Sequence, residues 1–484
     1  MPEVPTNPTA ALRAFIEWEE REQLFERRIR GVAYWQLIRH DVFRETLEAM
    51  GLAASAHLRL EQLPLSRWLG PQLRQLPSTL ARSHLAGLEP ADLLVATHPR
   101  HLQYQGSYIC PYTQPLLWGT PRSRVLLTGQ FQGRYYPPDP RERTRYVDLS
   151  LVLAHAQFRA SELMGRGIRE RDQRELAAIR DSLQLQLGAA LPTNKLQRRA
   201  RTAVLSMTGM TPRFDRMLER VRPRVVVNVI GYRLVHQILT LSARAKGIPV
   251  AELQHGTIGA AHAAYNFAKG RKPEAFPDYL LTFGERWREL TPGLPLPKEN
   301  VQAVGYAWLE LQRKNYPRQP RQQKPRVLFL SQRDIGPALS RMAAALQQRA
   351  GTQLHLTYRL HPSEAHSWEA NYPELHHSGI QVEEATTKPL YASQAEADVQ
   401  VGVYSTALVE GIAFGLQTVL VNLPGSEQLA FLLECNLAQT VETADELLAA
   451  VTTHRSLAAN SGTGLWAPNP KERFANFLAL FFHC

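Results

Sequence analysis

The stretch Val401-Gly-Val-Tyr-Ser-Thr-Ala-Leu-Val-Glu-Gly-Ile-Ala-Phe-Gly-Leu-Gln-Thr-Val-Leu-Val-Asn422 reads as strand, tight turn, helix, strand. Ser405 and Thr406 fall where the helix begins, and Glu410 lies about one turn further on. A helix start offers an anion unpaired backbone N–H groups and the positive end of the dipole. A hydroxyl pair there adds hydrogen bonds, and a carboxylate one turn later can hold a sugar diol. The pattern suits a nucleotide-diphosphate pocket. It equally suits an ordinary βαβ unit whose helix is capped by a serine.

Outward from this unit the same alternation repeats. Strands are expected at 326–331, 353–358, 379–383, 398–403 and 418–422, with helices at 337–349, 388–395, 405–415 and 443–453. An apolar helix from Phe474 to Phe482 closes the chain. Upstream, strands are expected at 92–97, 124–128, 147–153, 224–230, 249–254 and 279–283, and a helix at 233–246. The stretch 157–222 reads as helices broken at 188–192 and again at Thr211-Pro212. Residues 11–50 carry Phe15, Trp18, Leu24, Phe25, Ile29, Trp35 and Ile38 at helical spacing, a pattern of core packing rather than of a membrane wedge. The first ten residues, rich in Pro and Thr, are expected to be mobile, and 51–88 reads as helix and loop. Strands alternating with helices of this length give parallel sheets with right-handed crossovers. The expected fold is α/β: a helical extension (1–88), a first Rossmann-like domain (89–275), a second (276–465) and a C-terminal helix (466–484). A basic polar linker covers 313–325.

Composition narrows the function classes. Over 484 residues, hydrophobic content of 44% and charged content of 21% permit a sizeable core. The three cysteines, Cys110, Cys435 and Cys484, are too few and too far apart for a disulfide framework or a zinc site, which fits a reducing cytoplasm. No run approaches the roughly 20 apolar residues of a membrane span, and the N-terminus lacks the pattern of a signal peptide. A surplus of 56 Lys+Arg over 44 Asp+Glu gives a net charge of +12. The arginines at 134–146, 167–174 and 198–224 form no nucleic-acid-binding signature, so no nucleic-acid partner is expected. They suit either a solvated surface or a peripheral seat on the anionic inner face of the plasma membrane.

In doubly wound sheets ligands bind at the C-terminal ends of strands, so polar clusters there are the candidates. Glu252-Leu-Gln-His-Gly256 places Glu252 and Gln254 on one side of a strand, with His255 opening a loop that also holds Thr257, His262, Tyr265 and Asn266. His255 or Glu252 is a candidate proton acceptor, and Gly256 lets backbone approach a ligand. Tyr358-Arg-Leu-His-Pro362 offers Arg359 and His361 to phosphate, with Pro362 fixing the turn. Ser331-Gln-Arg333 offers Gln332 and Arg333 to a base or phosphate; a short polar turn is its plainer reading. Gln254 and Gly256 in the Glu252–Gly256 cluster, His98 and Arg100 after the first strand, and Tyr232 and Arg233 after 224–230 are candidates for the acceptor side. There is no Walker loop, no G-x-G-x-x-G after the first strand, no G-x-S-x-G, no H-E-x-x-H, and no Asp-x-Asp after a strand.

Gln-His-Gly in the first domain, His-Pro in the second and then Ser-Thr-x-x-x-Glu resemble bacterial glycosyltransferases of the GT-B fold, and more narrowly the capsule and lipopolysaccharide polysaccharide transferases. Relatives of that type include the CMP-Kdo and CMP-sialic acid transferases and the teichoic-acid glycerophosphotransferases. The resemblance covers about 90–480 and is most specific at Glu252-Leu-Gln-His-Gly-Thr257 and Pro277-Asp-Tyr-Leu-Leu-Thr-Phe-Gly284. It implies two Rossmann-like domains facing a cleft. A CMP- or UDP-linked sugar donor would have its phosphates met in the second domain by Arg359, His361, Ser405 and Thr406 and its ribose by Glu410. A polysaccharide or lipid-linked acceptor would lie against the first domain, near His255 or Glu252. It implies transfer without a metal or other cofactor. The first domain has no Asp/Glu-Asp-Gly of the sialyltransferases, and Val-Tyr-Ser-Thr replaces the Asp-Tyr-Ser-Ser of the glycerophosphotransferases, which disfavours polyol-phosphate transfer. The same fold also serves UDP-sugar 2-epimerases and admits a non-catalytic envelope-assembly protein.

Overall fold

The computed structural model describes residues 4–52, 88–120, 125–129, 145–148, 169–189, 191–453 and 464–482. The chain forms two compact units, Met1–Ala307 with Ala467–Cys484, and Trp308–Trp466.

The first unit is built on strands β1 (Leu93–Ala96), β4 (Val125–Gly129), β5 (Arg145–Asp148), β6 (Val225–Val229), β7 (Val250–Leu253), β8 (Tyr279–Thr282) and β9 (Val301–Ala303). They form one all-parallel sheet in the order β5-β4-β1-β6-β7-β8-β9. Val225 to Val229 is buried throughout, as a central parallel strand covered on both faces requires. A small hairpin of β2 (Leu102–Tyr104) and β3 (Ser107–Ile109) turns at Gln105-Gly106, both at positive φ. The strand order reverses between β1 and β6, the point at which a doubly wound sheet opens a crevice.

Helices α1 (Pro8–Arg21), α2 (Tyr34–Ala49), α3 (Glu170–Leu187) and α4 (Thr193–Val221) share one aromatic core. Phe15, Trp18 and Trp35 are fully buried, with Trp18 edge-on to Trp35 at 5.6 Å, so the N-terminal aromatics are core. Helix α5 (Leu234–Ala245) follows β6. Pro212 lies inside an unbroken α4, contrary to the break expected there. The guanidinium of Arg213 takes the carbonyl of Gly209, and buried Met210, Phe214 and Met217 hold this turn in the core.

The second unit has β10 (Arg326–Leu330), β11 (His355–Arg359), β12 (Gln381–Glu383), β13 (Val399–Gly402), β14 (Gln417–Val421) and β15 (Ala438–Val441), all parallel, in the order β12-β11-β10-β13-β14-β15. Its switch point lies between β10 and β13. Helices α6 (Gly336–Ala350), α7 (Leu390–Glu396), α8 (Thr406–Ile412) and α9 (Ala444–Thr452) accompany the sheet, the last begun by a Thr443/Glu446 capping box.

The expected boundary at 275/276 moves to 307/308. Strands β8 and β9 continue the first sheet beyond β7, and β9, like β15, carried no strand signal strong enough to be anticipated. The C-terminal helix Pro470–Phe482 belongs to the first unit, where Phe477 and Phe481 pack edge-on against Tyr279 at 5.5 and 5.6 Å. The expected helix and loop over 53–87 and the arginines of 134–144 lie outside the described residues, as do 149–153 of the third expected strand. No described helix is long and apolar enough to cross a membrane.

Candidate active site

Three strand ends meet at the switch point of the first sheet. β1 runs into His98, β6 into Ile230-Gly231-Tyr232-Arg233, and β7 into Gln254-His255-Gly256. The Tyr232 hydroxyl lies 3.0 Å from His255 Nε2. The His98 ring is 5.5 Å from that of His255 and 5.0 Å from Tyr112. From α2, His40 reaches Tyr232 at 4.4 Å and stacks on His262 at 5.3 Å, which in turn is 4.8 Å from Tyr265. Imidazoles and phenols from five separate segments thus form one continuous cluster.

Glu252 anchors it. Its carboxylate accepts the Gly231 N–H at 2.8 Å and the Tyr265 hydroxyl at 2.7 Å. A Cβ on Gly231 would lie 2.4 Å from Glu252 Oε2, so only glycine permits this approach. The preceding residue, Ile230, sits at φ +64, a left-handed conformation that a β-branched side chain resists. Backbone strain is therefore held beside the site by the Gly231–Glu252 bond. Behind the cluster, Arg39 of α2 pairs with Glu19 of α1 at 2.7 Å and donates to the carbonyls of Ala263 and Asn266. That ties both N-terminal helices to the loop carrying His262 and Tyr265.

Burial sets the protonation states. It pushes the Glu252 carboxyl up to about 7, against the opposing hydrogen bonds of Tyr265 and Gly231. It pushes His255, His40 and His262 down to about 3, His236 to about 4 and His98 to about 2, with neighbouring positive charges such as Arg233 adding to the effect at His98, His236 and His255. The imidazoles are neutral at neutral pH, and burial likewise keeps Tyr232 and Tyr265 as protonated phenols. Among the described residues no group of three or more His, Cys, Asp or Glu is placed to hold a metal ion. Arg39, His40, Gly231, Tyr232 and Glu252 border a cavity of about 30 Å³, room for a water or two but not for a sugar.

Gln254 has a different task from the acceptor contact expected of it. Buried, it donates to the Gly256 carbonyl at 2.8 Å and accepts the Phe283 N–H at 2.8 Å, tying the end of β7 to that of β8. Arg100 and Arg233 are exposed at the rim.

In the second unit, the ends of β11 and β13 flank that of β10. His361 and Arg333 are exposed, and Gln332 is half-buried with its Oε1 shielded and lacking a partner among the described residues. Ser405 caps α8, its Oγ accepting the Ala407 N–H at 3.3 Å; Thr406 is exposed, and Glu410 accepts the Tyr391 hydroxyl at 2.9 Å. Arg359 is not placed for phosphate. β11 extends one residue beyond the expected strand, so the pleat directs Arg359 inward. There it pairs with buried Glu383 and donates to the Lys388 carbonyl at 2.8 Å.

Sequence reasoning missed Glu364. This buried carboxylate accepts from Ser331 Oγ at 2.9 Å, from the Tyr372 hydroxyl and from the His361 backbone N–H, joining the β10 and β11 ends. The available signal was a carboxylate three residues beyond His361, the spacing at which a side chain reaches back to a turn's N–H. A Cβ on Gly336 would collide with the Tyr372 hydroxyl at 2.0 Å, so the network also fixes that glycine.

The sequence matches no protein-family model and no curated protein. Solved structures do match. UDP-GlcNAc 2-epimerase from Methanocaldococcus jannaschii is similar with a TM-score of 0.50 at 10% identity, over 81% of this chain and 100% of that one. The glycosyltransferase SnogD from Streptomyces nogalater (TM-score 0.42, 16% identity, 81% and 100% covered) and MurG from Acinetobacter baumannii (0.44, 12%, 81% and 99%) show weaker likeness. At such identities likeness is one of fold: this chain has two Rossmann-like domains, the GT-B architecture.

Proposed function

We propose that this chain is a nucleotide-sugar-dependent glycosyltransferase that extends a cell-surface polysaccharide or lipid-linked glycan of the capsule or lipopolysaccharide type. The observation that carries the reading is the Glu252–Tyr265–Tyr232–His255–His98 cluster at the first switch point. Strongly shifted titrating groups gathered at the place where this fold opens its crevice mark a site of chemistry. Glu252, drawn to about 7, is matched to proton acceptance at neutral pH. The cavity beside it is water-sized, so the acceptor's proton reaches it by relay. His361, Ser405, Thr406, Glu410, Gln332 and Arg333 at the second unit's strand ends are the proposed nucleotide contacts, with Glu364 positioning the His361 turn. No cofactor is invoked. Exposed Arg198, Arg216 and Arg222 along and after α4 support a peripheral seat on anionic lipid, at the cytoplasmic face.

The test is a thermal-shift series with CMP, UDP, GDP, CDP and dTDP, followed by transfer assays with the nucleotide that binds. Ligand at about 100 times its Kd stabilises by about 2.7 kcal/mol. No shift with any nucleotide overturns the reading. Release of UDP with an epimerised sugar and no acceptor replaces it with an epimerase.

A further inference from the structure

We propose that Tyr232 fixes His255 as its Nδ1–H tautomer, and that this N–H, with the N–H of neighbouring His98, holds an anionic oxygen of the acceptor, so that His255 is a hydrogen-bond donor rather than the base. The word acceptor rests on the transferase reading; the tautomer does not.

Tyr232 hydroxyl and His255 Nε2, 3.0 Å apart, have no other hydrogen-bond partner among the described residues. A phenol O–H is the better donor and an imidazole nitrogen the better acceptor, so the proton between them resides on oxygen. The reverse arrangement leaves two groups unsatisfied, the phenolic hydrogen and the Nδ1 lone pair; this one leaves only the Nδ1–H. Burial keeps the phenol protonated and the imidazole neutral, so neither ionisation removes the constraint. With Nε2 accepting, the single proton of the neutral ring sits on Nδ1. That nitrogen is shielded from solvent and has no partner among the described residues, an orphan donor of the kind a ligand completes.

His98 supplies the second donor. Its Nδ1 accepts the Arg100 backbone N–H at 2.8 Å, which leaves the proton of the neutral ring on Nε2. The two rings are 5.5 Å apart. Arg233 bears on both rings and Arg100 on His98, so the local field is positive. Two neutral N–H donors in a positive field suit a phosphate or carboxylate oxygen better than a sugar hydroxyl, which needs an acceptor for its own proton.

The experiment is a long-range ¹H–¹⁵N correlation spectrum of the full chain labelled at histidine, with His255 assigned by its loss in His255→Asn. The expected spectrum has His255 protonated at Nδ1 and bare at Nε2, and Tyr232→Phe shifts it toward the other tautomer. An Nε2–H His255 in the unsubstituted protein overturns the proposal. Inorganic phosphate and acetate, added separately, identify the oxygen: movement of the His255 and His98 signals with phosphate or with acetate names the source, and no movement with either overturns the anion. With an acceptor in hand, His255→Asn places an amide N–H near the Nδ1 position and raises the acceptor KM less than about tenfold, whereas His255→Gln raises it more, with kcat little changed. A base would instead lose about 10²–10⁴ in kcat in both variants. If no transfer is found with any acceptor while the Nδ1–H tautomer is observed, the transferase reading falls and the tautomer stands.

Discussion

In the first Rossmann-like domain the chemistry-bearing groups are packed among one another: Glu252 under Gly231 and Tyr265, His255 on Tyr232, His40 on His262. In the second the buried polar groups are scaffolding, Glu364 and the Arg359–Glu383 pair, and the candidate ligand contacts His361, Arg333 and Thr406 stand exposed. The difference has a physical reason. Burial is the largest cause of the shifts in the first domain's cluster, so its groups are drawn inside; groups that grip phosphate need only reach it, and a buried frame to aim them. Substitutions in the first domain therefore disturb fold and chemistry together, while those in the second separate them.

The largest effects should come from the buried ion pairs. Arg39→Met strands the Glu19 carboxylate and should cost about 3–5 kcal/mol, read from urea unfolding. Arg359→Met should cost a similar amount through Glu383. If Arg359→Met instead leaves stability intact and abolishes nucleotide binding, the scaffolding role assigned to it here is wrong.

The titrating cluster comes next. A carboxyl raised from 4.5 to about 7 supports the folded state in acid and withdraws that support as pH rises to about 7, a cost near 3 kcal/mol. Imidazoles lowered from 6.5 to between about 2 and about 4 act oppositely: their support is complete above 6.5 and is lost as pH falls toward those values. Five imidazoles outweigh one carboxyl, so stability should fall between about pH 6.5 and about pH 5, more steeply than one proton allows. Glu252→Gln should steepen the fall. Urea midpoints across that range measure it, and a flat profile would show that the first domain's cluster is hydrated.

Glu364→Gln turns an amide against donors that need an acceptor, at about 1–3 kcal/mol, and should weaken nucleotide binding by displacing His361. Smallest in stability is His361→Ala: within about 0.5 kcal/mol of the parent at an exposed site, yet raising nucleotide Kd about tenfold by titration calorimetry. An effect on stability as large as that of Arg39→Met would erase the contrast between the two domains.

Much of this was legible in one dimension. Alternating apolar runs announced the two parallel sheets, because strand and helix periods are local properties of the chain. The Gln-His-Gly, His-Pro and Ser-Thr motifs marked strand ends for the same reason. Tertiary structure alone decided the rest. His40 met Tyr232 across almost two hundred intervening positions, Arg39 bridged Glu19 to the Asn266 carbonyl, and burial raised the Glu252 carboxyl to about 7 despite the hydrogen bonds it accepts from Gly231 and Tyr265. Arg359 changed from expected ligand to strut when its strand ran one residue longer, and two further strands carried the first domain to Ala307. Each of these depends on burial or on a partner distant in sequence. A residue's type and spacing state what chemistry it can do; the water removed from around it, and the neighbour brought to it, decide which chemistry it does.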